Sequence, residues 1–306
     1  MSSAPIFSPS DAPVALIGAG AMASALAQAL SERAVPLTAV LSRREAPAQA
    51  LAHAVGAATA SRSWSALPSD TRVVLVCVPD DAIPSAAKAL AAVSHSWNQT
   101  LVAHTSGARP ASSLSPLDAC GASLMSFHPV QTVTADSPPN VFEDVVVGIE
   151  GDATAVPYGV ALARLVGAVP VRLSADDKVL YHAAAALASN GLVALTGAVY
   201  DVLAAAGVDE ETGRRMIMPL LSQTLANLED ANPSDVLTGP VARGDVGTIR
   251  AHTQALKDAT PSDLYALYTV LSKQMLQVAD RTGRLSHAQK DALRALWADT
   301  EPDSAP

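Results

Sequence analysis

Aromatic rings are scarce in this chain. Three Phe, five Tyr and three Trp make up 4% of its 306 residues, so the core must be built mostly from Ala, Val and Leu. Cysteine is scarcer still. Cys77 and Cys120 are the only two, too few for a disulfide framework, and no Cys/His cluster has the spacing of a zinc site. Cys77 sits in an apolar run and reads as a small buried hydrophobe. A basic excess is missing as well. The net charge is -9 and the isoelectric point near 5.1, and no Lys/Arg cluster offsets it, which argues against a nucleic-acid surface. The first residues, MSSAPIFSPSDAP, lack the basic and apolar regions of a signal peptide. No apolar run is expected to reach membrane-spanning length without interruption. The longest candidate, 181–199, contains His182, Ser189, Asn190 and two glycines. These absences predict a soluble cytoplasmic protein, in which the Asn98-Gln99-Thr100 glycosylation pattern has no meaning.

What is present is a composition of 49% hydrophobic and 16% charged residues, enough for one large or two medium domains with real cores. The most telling segment is VALIGAGAMASALAQAL, 14–30. An apolar strand runs into Gly18-Ala19-Gly20-Ala21-Met22-Ala23 and then an alanine-rich helix. Gly18 permits the tight turn, Gly20 lets a pyrophosphate approach the backbone, and Ala23 lets helix and strand pack closely. The helix N-terminus then faces the phosphates. A glycine-rich turn in another α/β sheet is the alternative. The next strand, 37–41, ends in Ser42-Arg43-Arg44. A binder of NAD usually places an acid at that tip to hold the ribose 2′-hydroxyl. A hydroxyl and two guanidinium groups instead suit a 2′-phosphate, so NADP(H) is favoured over NAD(H); Glu45 lies past the strand tip. A merely solvated basic loop would leave the choice of cofactor indifferent to both arginines.

Strand-like and helix-like segments alternate through the first half: strands at 14–17, 37–41, 72–78, 101–104, 123–127, 145–149 and 169–173, helices at 22–31, 46–55, 83–93 and 153–166. This pattern predicts a doubly wound α/β sheet. After Ser174 the pattern changes to helices alone, at 178–203, 211–228, 248–259, 262–281 and from Ser286 to about residue 297, with Asn232-Pro233 and Thr260-Pro261 as breakers. The expected organisation is a Rossmann-type NADP(H)-binding domain over 12–173 and an all-helical domain over 174–300, with frayed tails at 1–11 and 299–306. Ligands of open α/β sheets bind beyond the carboxyl ends of the strands. Chemistry is therefore expected in a cleft between those ends and the first helix of the second domain.

Three strand ends point there. Val78-Pro79-Asp80-Asp81 offers a backbone edge to the cofactor, though Asp81 suits a helix cap equally well. His104-Thr105-Ser106-Gly107 allows close approach of a nicotinamide ring and a hydrogen bond to a substrate oxygen. Phe127-His128-Pro129-Val130-Gln131-Thr132 places polar groups in an apolar stretch. Both histidines also fit a structural role at the core edge. On the long helix, Lys178, His182, Ala185 and Ser189 share one face at 100° per residue, with Asn190 beside them. A polar stripe on an alanine-rich helix suits a polar cleft; a lysine merely exposed in a first turn is the alternative. Lysine and histidine can exchange protons, and serine and asparagine can orient a substrate. In Thr238-Gly239-Pro240-Val241-Ala242-Arg243-Gly244-Asp245, Arg243 can grip a carboxylate and Asp245 can cap the next helix.

The motifs GAGAMA, CVPDDAI, HTSG, FHPVQT, YHAAAALASN and GPVARGD together resemble a family of Rossmann-like oxidoreductases with a helical C-terminal domain of unknown function. That family is similar to pyrroline-5-carboxylate reductase, ketopantoate reductase and the β-hydroxyacid dehydrogenases, and the resemblance spans about 13–298. It implies a catalytic lysine, matched by Lys178. It also implies an asparagine one turn later, where this chain carries His182. It further implies a homodimer through the helical domain. FHPVQT also looks like the histidine-proline segment of prephenate dehydrogenases. The expected function is an NADPH-dependent oxidoreductase moving hydride to or from a small oxo acid, hydroxy acid or imine. Lys178 and His182 would be catalytic. Ser106, His128, Ser189, Asn190 and Arg243 would bind substrate. Gly18, Gly20, Ala21, Met22, Ser42, Arg43, Arg44, Val78, Pro79 and Thr105 would bind cofactor, and no metal is expected. A non-catalytic NADP(H)-binding regulatory protein, or an isomerase or dehydratase that retains its cofactor, is the competing reading.

Overall fold

The computed structural model describes residues 8–134 and 136–297. Residues 1–7 and 299–306 of the expected tails, and 298–300 of the expected helical domain, lie outside the described residues, while 8–11 form a turn closed by the Asp11 amide on Ser8 O (3.2 Å). The chain divides into two compact units, split between Ser189 and Asn190.

The first unit alternates strand and helix: β1 Val14–Ile17, α1 Ala21–Ser31, β2 Leu37–Leu41, α2 Glu45–Val55, β3 Thr59–Ser61, β4 Val73–Val76, α3 Ile83–Ala91, β5 Leu101–His104, α4 Ser115–Asp118, β6 Ser123–Pro129, β7 Val146–Gly151, α5 Val156–Leu165, β8 Val169–Arg172 and α6 Lys178–Ala188. The sheet order is β3-β2-β1-β4-β5-β6-β7-β8. The order reverses between β1 and β4, which opens a crevice beyond their carboxyl ends. This is a Rossmann-like sheet. β1 (VALI) and β4 (VVLV) are buried at every residue, as a parallel strand covered by helices on both faces must be. In α1, Ala23, Ala25, Ala27 and Ala29 are all buried. Their single methyl groups let the helix lie close on the sheet.

The sheet is doubly wound as expected, with two features the sequence did not indicate. β7 pairs antiparallel with β6, opposing His128 to Gly148. Among its described residues the chain between them, 130–145, holds no helix, so it returns to the same edge without a crossover. β3 is three half-buried residues at the sheet edge, too short to show a period.

The second unit is built from α7 Asn190–Ala205, α8 Glu210–Asp230, α9 Pro233–Val236, α10 Pro240–Arg243, α11 Val246–Ala259, α12 Ser262–Asp280 and α13 His287–Ala295, with no strand among the described residues. Its core gathers Val241, Ile249, Leu276, Leu285, Leu293 and Trp297. Side chains fix three helix starts. Asp209 accepts from the Thr212 amide (3.0 Å), Asp245 accepts from the Thr248 amide (3.1 Å), and Ser286 forms a capping box with Gln289. Large apolar side chains remain exposed on α7 and α8, among them Val193, Leu220 and Leu225. Beside them, α7, α11 and α12 line an apolar groove of about 460 Å3.

The segment expected as one helix from Lys178 breaks at Ser189 into α6 and α7. The run Lys178–Ala205 nonetheless spans 28 residues and holds an 18-residue window of mean hydropathy 1.4, long and apolar enough to cross a membrane by length and composition. Its polar interruptions do not bring it below that threshold, contrary to the sequence expectation.

Candidate functional site

Beyond β1, β2 and β4 lies a cavity of about 580 Å3 lined by Gly18, Gly20, Ser42, Arg43, Arg44, Trp64, Cys77, Val78 and Pro79, with others. Gly18 sits at φ +115°, a conformation that strains any L side chain, and a Cβ there would strike the Cys77 carbonyl. Gly20 is different: a Cβ would meet nothing within 4 Å, so its glycine leaves open space rather than relieving a contact. Gly20 is also the N-cap of α1, with no side-chain cap and no acid in the first turn. The amides of Ala21 and Met22 therefore begin a helix whose positive end is unneutralised. Ser42 accepts the Arg44 amide (3.4 Å). Arg43 and Arg44 are exposed, and among the described residues neither pairs with a carboxylate. Glu45 turns instead to Gln49 (3.2 Å). Thr105 follows β5, its amide donating to Val76 O (3.3 Å). Burial pushes the Cys77 thiol up to about 12, with Thr105 opposing weakly through a hydrogen bond.

A second cluster lies at the ends of β5 and β6, under α6. Lys178 has no exposed surface. Its ammonium donates to Ser126 Oγ (2.6 Å) and Ser106 O (3.3 Å). Burial lowers its pKa, and Glu150 and Asp80 pull the other way. Ser106 Oγ donates to Asp80 Oδ2 (2.7 Å) and accepts the amides of Ala108 (3.2 Å) and Arg109 (3.0 Å). Its hydroxyl thus ties the loop after β5 to the loop after β4. His104 is fully buried. Its Nδ1 accepts the Ser106 amide (3.2 Å), so its proton must sit on Nε2, facing Pro110 O (3.0 Å). Burial brings its pKa down to about 4. This is a neutral, structural histidine.

His128 and His182 face each other with ring centroids 5.6 Å apart and planes at 80°. His128 Nδ1 is 3.0 Å from Tyr181 Oη. Burial, then the neighbouring His182 and Lys178, bring the His128 pKa down to about 4. Burial raises Tyr181 to about 12. Gly148 makes room for Tyr181: a Cβ there would lie 2.8 Å from its hydroxyl. Gly107 does the same for both histidines. A Cβ on it would strike His182 Nδ1 and lie 2.7 Å from His128 Cε1. His182 Nδ1 is buried with no hydrogen-bond partner.

The structure thus gathers Lys178, His182, Ser106 and His128 within the first unit. Ser189 hydrogen-bonds Thr132 (3.1 Å). Gln131 closes its own loop, accepting the Thr132 amide (2.9 Å) and donating to Val141 O (3.4 Å). Asn190 and Arg243 belong to the second unit, where Arg243 is exposed and its carbonyl accepts from Gln289 (3.1 Å). Among the described residues, no group of three or more His, Cys, Asp or Glu could hold a metal ion.

Residues 13–106 match the family described as NADP oxidoreductase, coenzyme F420-dependent. The first third of the chain is thus similar to an NADP oxidoreductase domain. Residues 145–275 match a domain of unknown function, DUF2520, which takes in β7, β8, α6 and most of the helical unit. No curated protein matches the chain. Solved structures share its fold. Protein TM1727 from Thermotoga maritima is 25% identical with a TM-score of 0.70, over 89% of this chain and 100% of that one. BF3122 from Bacteroides fragilis is 22% identical, TM-score 0.73, over 88% and 100%. A reductive aminase from Aspergillus terreus, solved with NADPH4, cyclohexanone and allyl amine, is 19% identical, TM-score 0.62, over 93% and 99%.

The residues of the matched segment fit NADP(H). The open face of Gly20, the N-cap of α1, and the side chains of Arg43 and Arg44 line one volume. Asp80, Ser126 and Tyr181 of the polar cluster escape sequence reasoning as site residues, and Gly107, expected to admit a nicotinamide ring, is the seat of two histidine rings. Tyr181 had a signal, since it stands three residues from Lys178, at the edge of the stripe formed by Lys178, His182, Ala185 and Ser189. Ser126 had a weaker one, as a hydroxyl inside an apolar strand.

Proposed function

We propose that this chain is an NADPH-dependent reductase or dehydrogenase acting on a small oxo acid, hydroxy acid or imine. The observation that supports this most is the cavity where Gly18, Gly20 at the N-cap of α1, and Ser42-Arg43-Arg44 meet. NADP(H), when bound, supplies or takes up the hydride. The chain's own residues do the rest. Gly18 and Gly20 admit the pyrophosphate, and the amides of Ala21 and Met22 receive it. Ser42, Arg43 and Arg44 hold the 2′-phosphate. Val78, Pro79 and Thr105 are assigned to the nicotinamide end. Lys178 or His182 exchanges the proton, while Ser106, His128 and Ser189 orient the substrate; Asn190 and Arg243 are the substrate-binding candidates of the second unit. Two free cysteines suit a reducing cytoplasm. A second copy of the chain is the proposed partner of the apolar faces on the helical unit.

Tryptophan quenching during titration with NADPH and then NADH tests the cofactor assignment. NADPH should bind much more tightly. Replacing Arg43 and Arg44 by Ala should cut NADPH affinity by roughly tenfold or more, since charge-assisted hydrogen bonds contribute about 1.5–3 kcal/mol each, and leave NADH affinity unchanged. An unaltered NADPH to NADH ratio would sink the 2′-phosphate assignment. A panel of carbonyl and imine substrates, followed by lysate metabolites, tests the chemistry. Tight NADPH binding with no turnover, and full complementation by Lys178→Ala and His182→Ala, would mark a regulatory protein instead. Turnover without net NADPH consumption would mark an isomerase or dehydratase.

A further inference from the structure

Two donors converge on one carbonyl at the heart of the polar cluster. Lys178 Nζ lies 3.3 Å from Ser106 O, and Ser126 Oγ, itself 2.6 Å from Nζ, donates to the same oxygen at 3.2 Å. Lys178 and Ser126 are both completely buried. Together they fix the plane of the Ser106–Gly107 peptide. A trans peptide turns its N–H opposite to its C=O, so the Gly107 amide points away from Lys178. Both imidazole rings rest on the Cα of that glycine. The space of a Cβ is taken by His182 Nδ1 and by His128, whose Nε2 would lie 2.9 Å away. The peptide that Lys178 holds is therefore the floor under both histidines. The ammonium itself faces this carbonyl and Ser126 and has no open side.

We propose that Lys178 is a positioning residue: it holds the Ser106–Gly107 peptide, and through Gly107 the rings of His128 and His182, and leaves proton exchange to His182. The assignment of the proton rests on the oxidoreductase reading above. In the reductive direction, bound NADPH would supply hydride to the carbonyl or imine carbon, whose π pair would pass to its oxygen or nitrogen. That atom would take a proton from His182, and water would return one to the ring. Lys178 keeps its protons throughout. The substrate class is a carbonyl or imine whose heteroatom lies within reach of the His182 ring nitrogen that is not pressed against Gly107.

The test needs no substrate. The probes are the Gly107 amide and the His182 ring, followed by NMR in labelled wild type, Lys178→Met, Ser126→Ala and the double variant, with and without NADPH. Both resonances should shift in each single variant. The shifts in the double variant should fall short of the sum, because both donors act on one carbonyl. NADPH affinity should stay within about threefold of wild type, since neither group lines the cofactor cavity. Unmoved Gly107 and His182 signals in folded Lys178→Met would overturn the proposal. If that variant does not fold, Ser126→Ala decides alone, because it removes one donor and leaves the buried cation its carbonyl. Failure of wild type to bind NADPH would sink the oxidoreductase reading, and the resonance shifts would still decide the positioning role. With a turnover substrate, Lys178→Met should lower kcat but keep the pH limb that His182→Asn loses; the reverse assigns the proton to Lys178.

Discussion

A methyl group added at Gly107 would land on the His182 ring. Gly107→Ala should therefore destabilise the first unit by about 1–3 kcal/mol, the usual cost of overpacking, and abolish turnover while NADPH still binds. Urea midpoints and a cofactor titration read the two effects separately; an alanine variant with normal turnover would show that the contact is dispensable. The histidines below set a pH dependence. His104 and His128 are held neutral, with pKa values of about 4 against an ordinary 6.5. The unfolded chain takes up protons on them below pH 6.5 and the folded chain does not. Stability from both groups is thus complete above pH 6.5 and lost as pH falls towards 4. The slope of unfolding free energy in that window should approach about 1.4 kcal/mol per pH unit for each imidazole. Denaturation series at pH 7, 6 and 5 would measure it, and His104→Asn should remove about half. A flat profile would mean that the two rings titrate in the fold as they do in water.

Elements whose identity rests on a continuous local pattern were legible before any coordinates: β1, β2, β4, β5, and α1 with its glycine turn. The same holds for the Ser286 cap, whose Gln289 partner stands three residues on. The antiparallel pairing of β7 was not, because pairing direction depends on what the connecting chain does and 130–145 carries no period. The site divides the same way. Its cofactor half is one contiguous strand–turn–helix and could be read directly. Its polar half brings together Asp80, Ser106, Ser126, His128 and Lys178 from four separate segments, and no local pattern states that Ser126 and Lys178 will meet. Within the helical unit, the Asp245 cap carries its own expectation. Asp245→Ala should cost about 1 kcal/mol, because the Thr248 amide and hydroxyl both lose their acceptor. A melting curve of that variant indistinguishable from wild type would assign Asp245 to something other than the start of α11.

For the molecule as a whole, the apolar residues of α7 and α8 and the groove beside them leave more uncovered hydrocarbon than a solitary domain usually tolerates. Light scattering in dilute buffer should give twice the mass of the 31.2 kDa chain. Leu220→Glu or Leu225→Glu should shift the mass towards a single copy while NADPH binding is kept. A monomer in wild type would remove the dimer. The scarcity of aromatic rings has its own use. Trp64 stands in the wall of the cofactor cavity, Trp97 is buried in the same unit, and Trp297 lies in the core of the other. With three indoles in the whole chain, replacing Trp97 and Trp297 by Phe leaves a lamp beside the nucleotide. Replacing Trp64 and Trp97 leaves one that sees only the helices. The two halves of the protein can thus be watched melting one at a time, by emission alone and with no label attached.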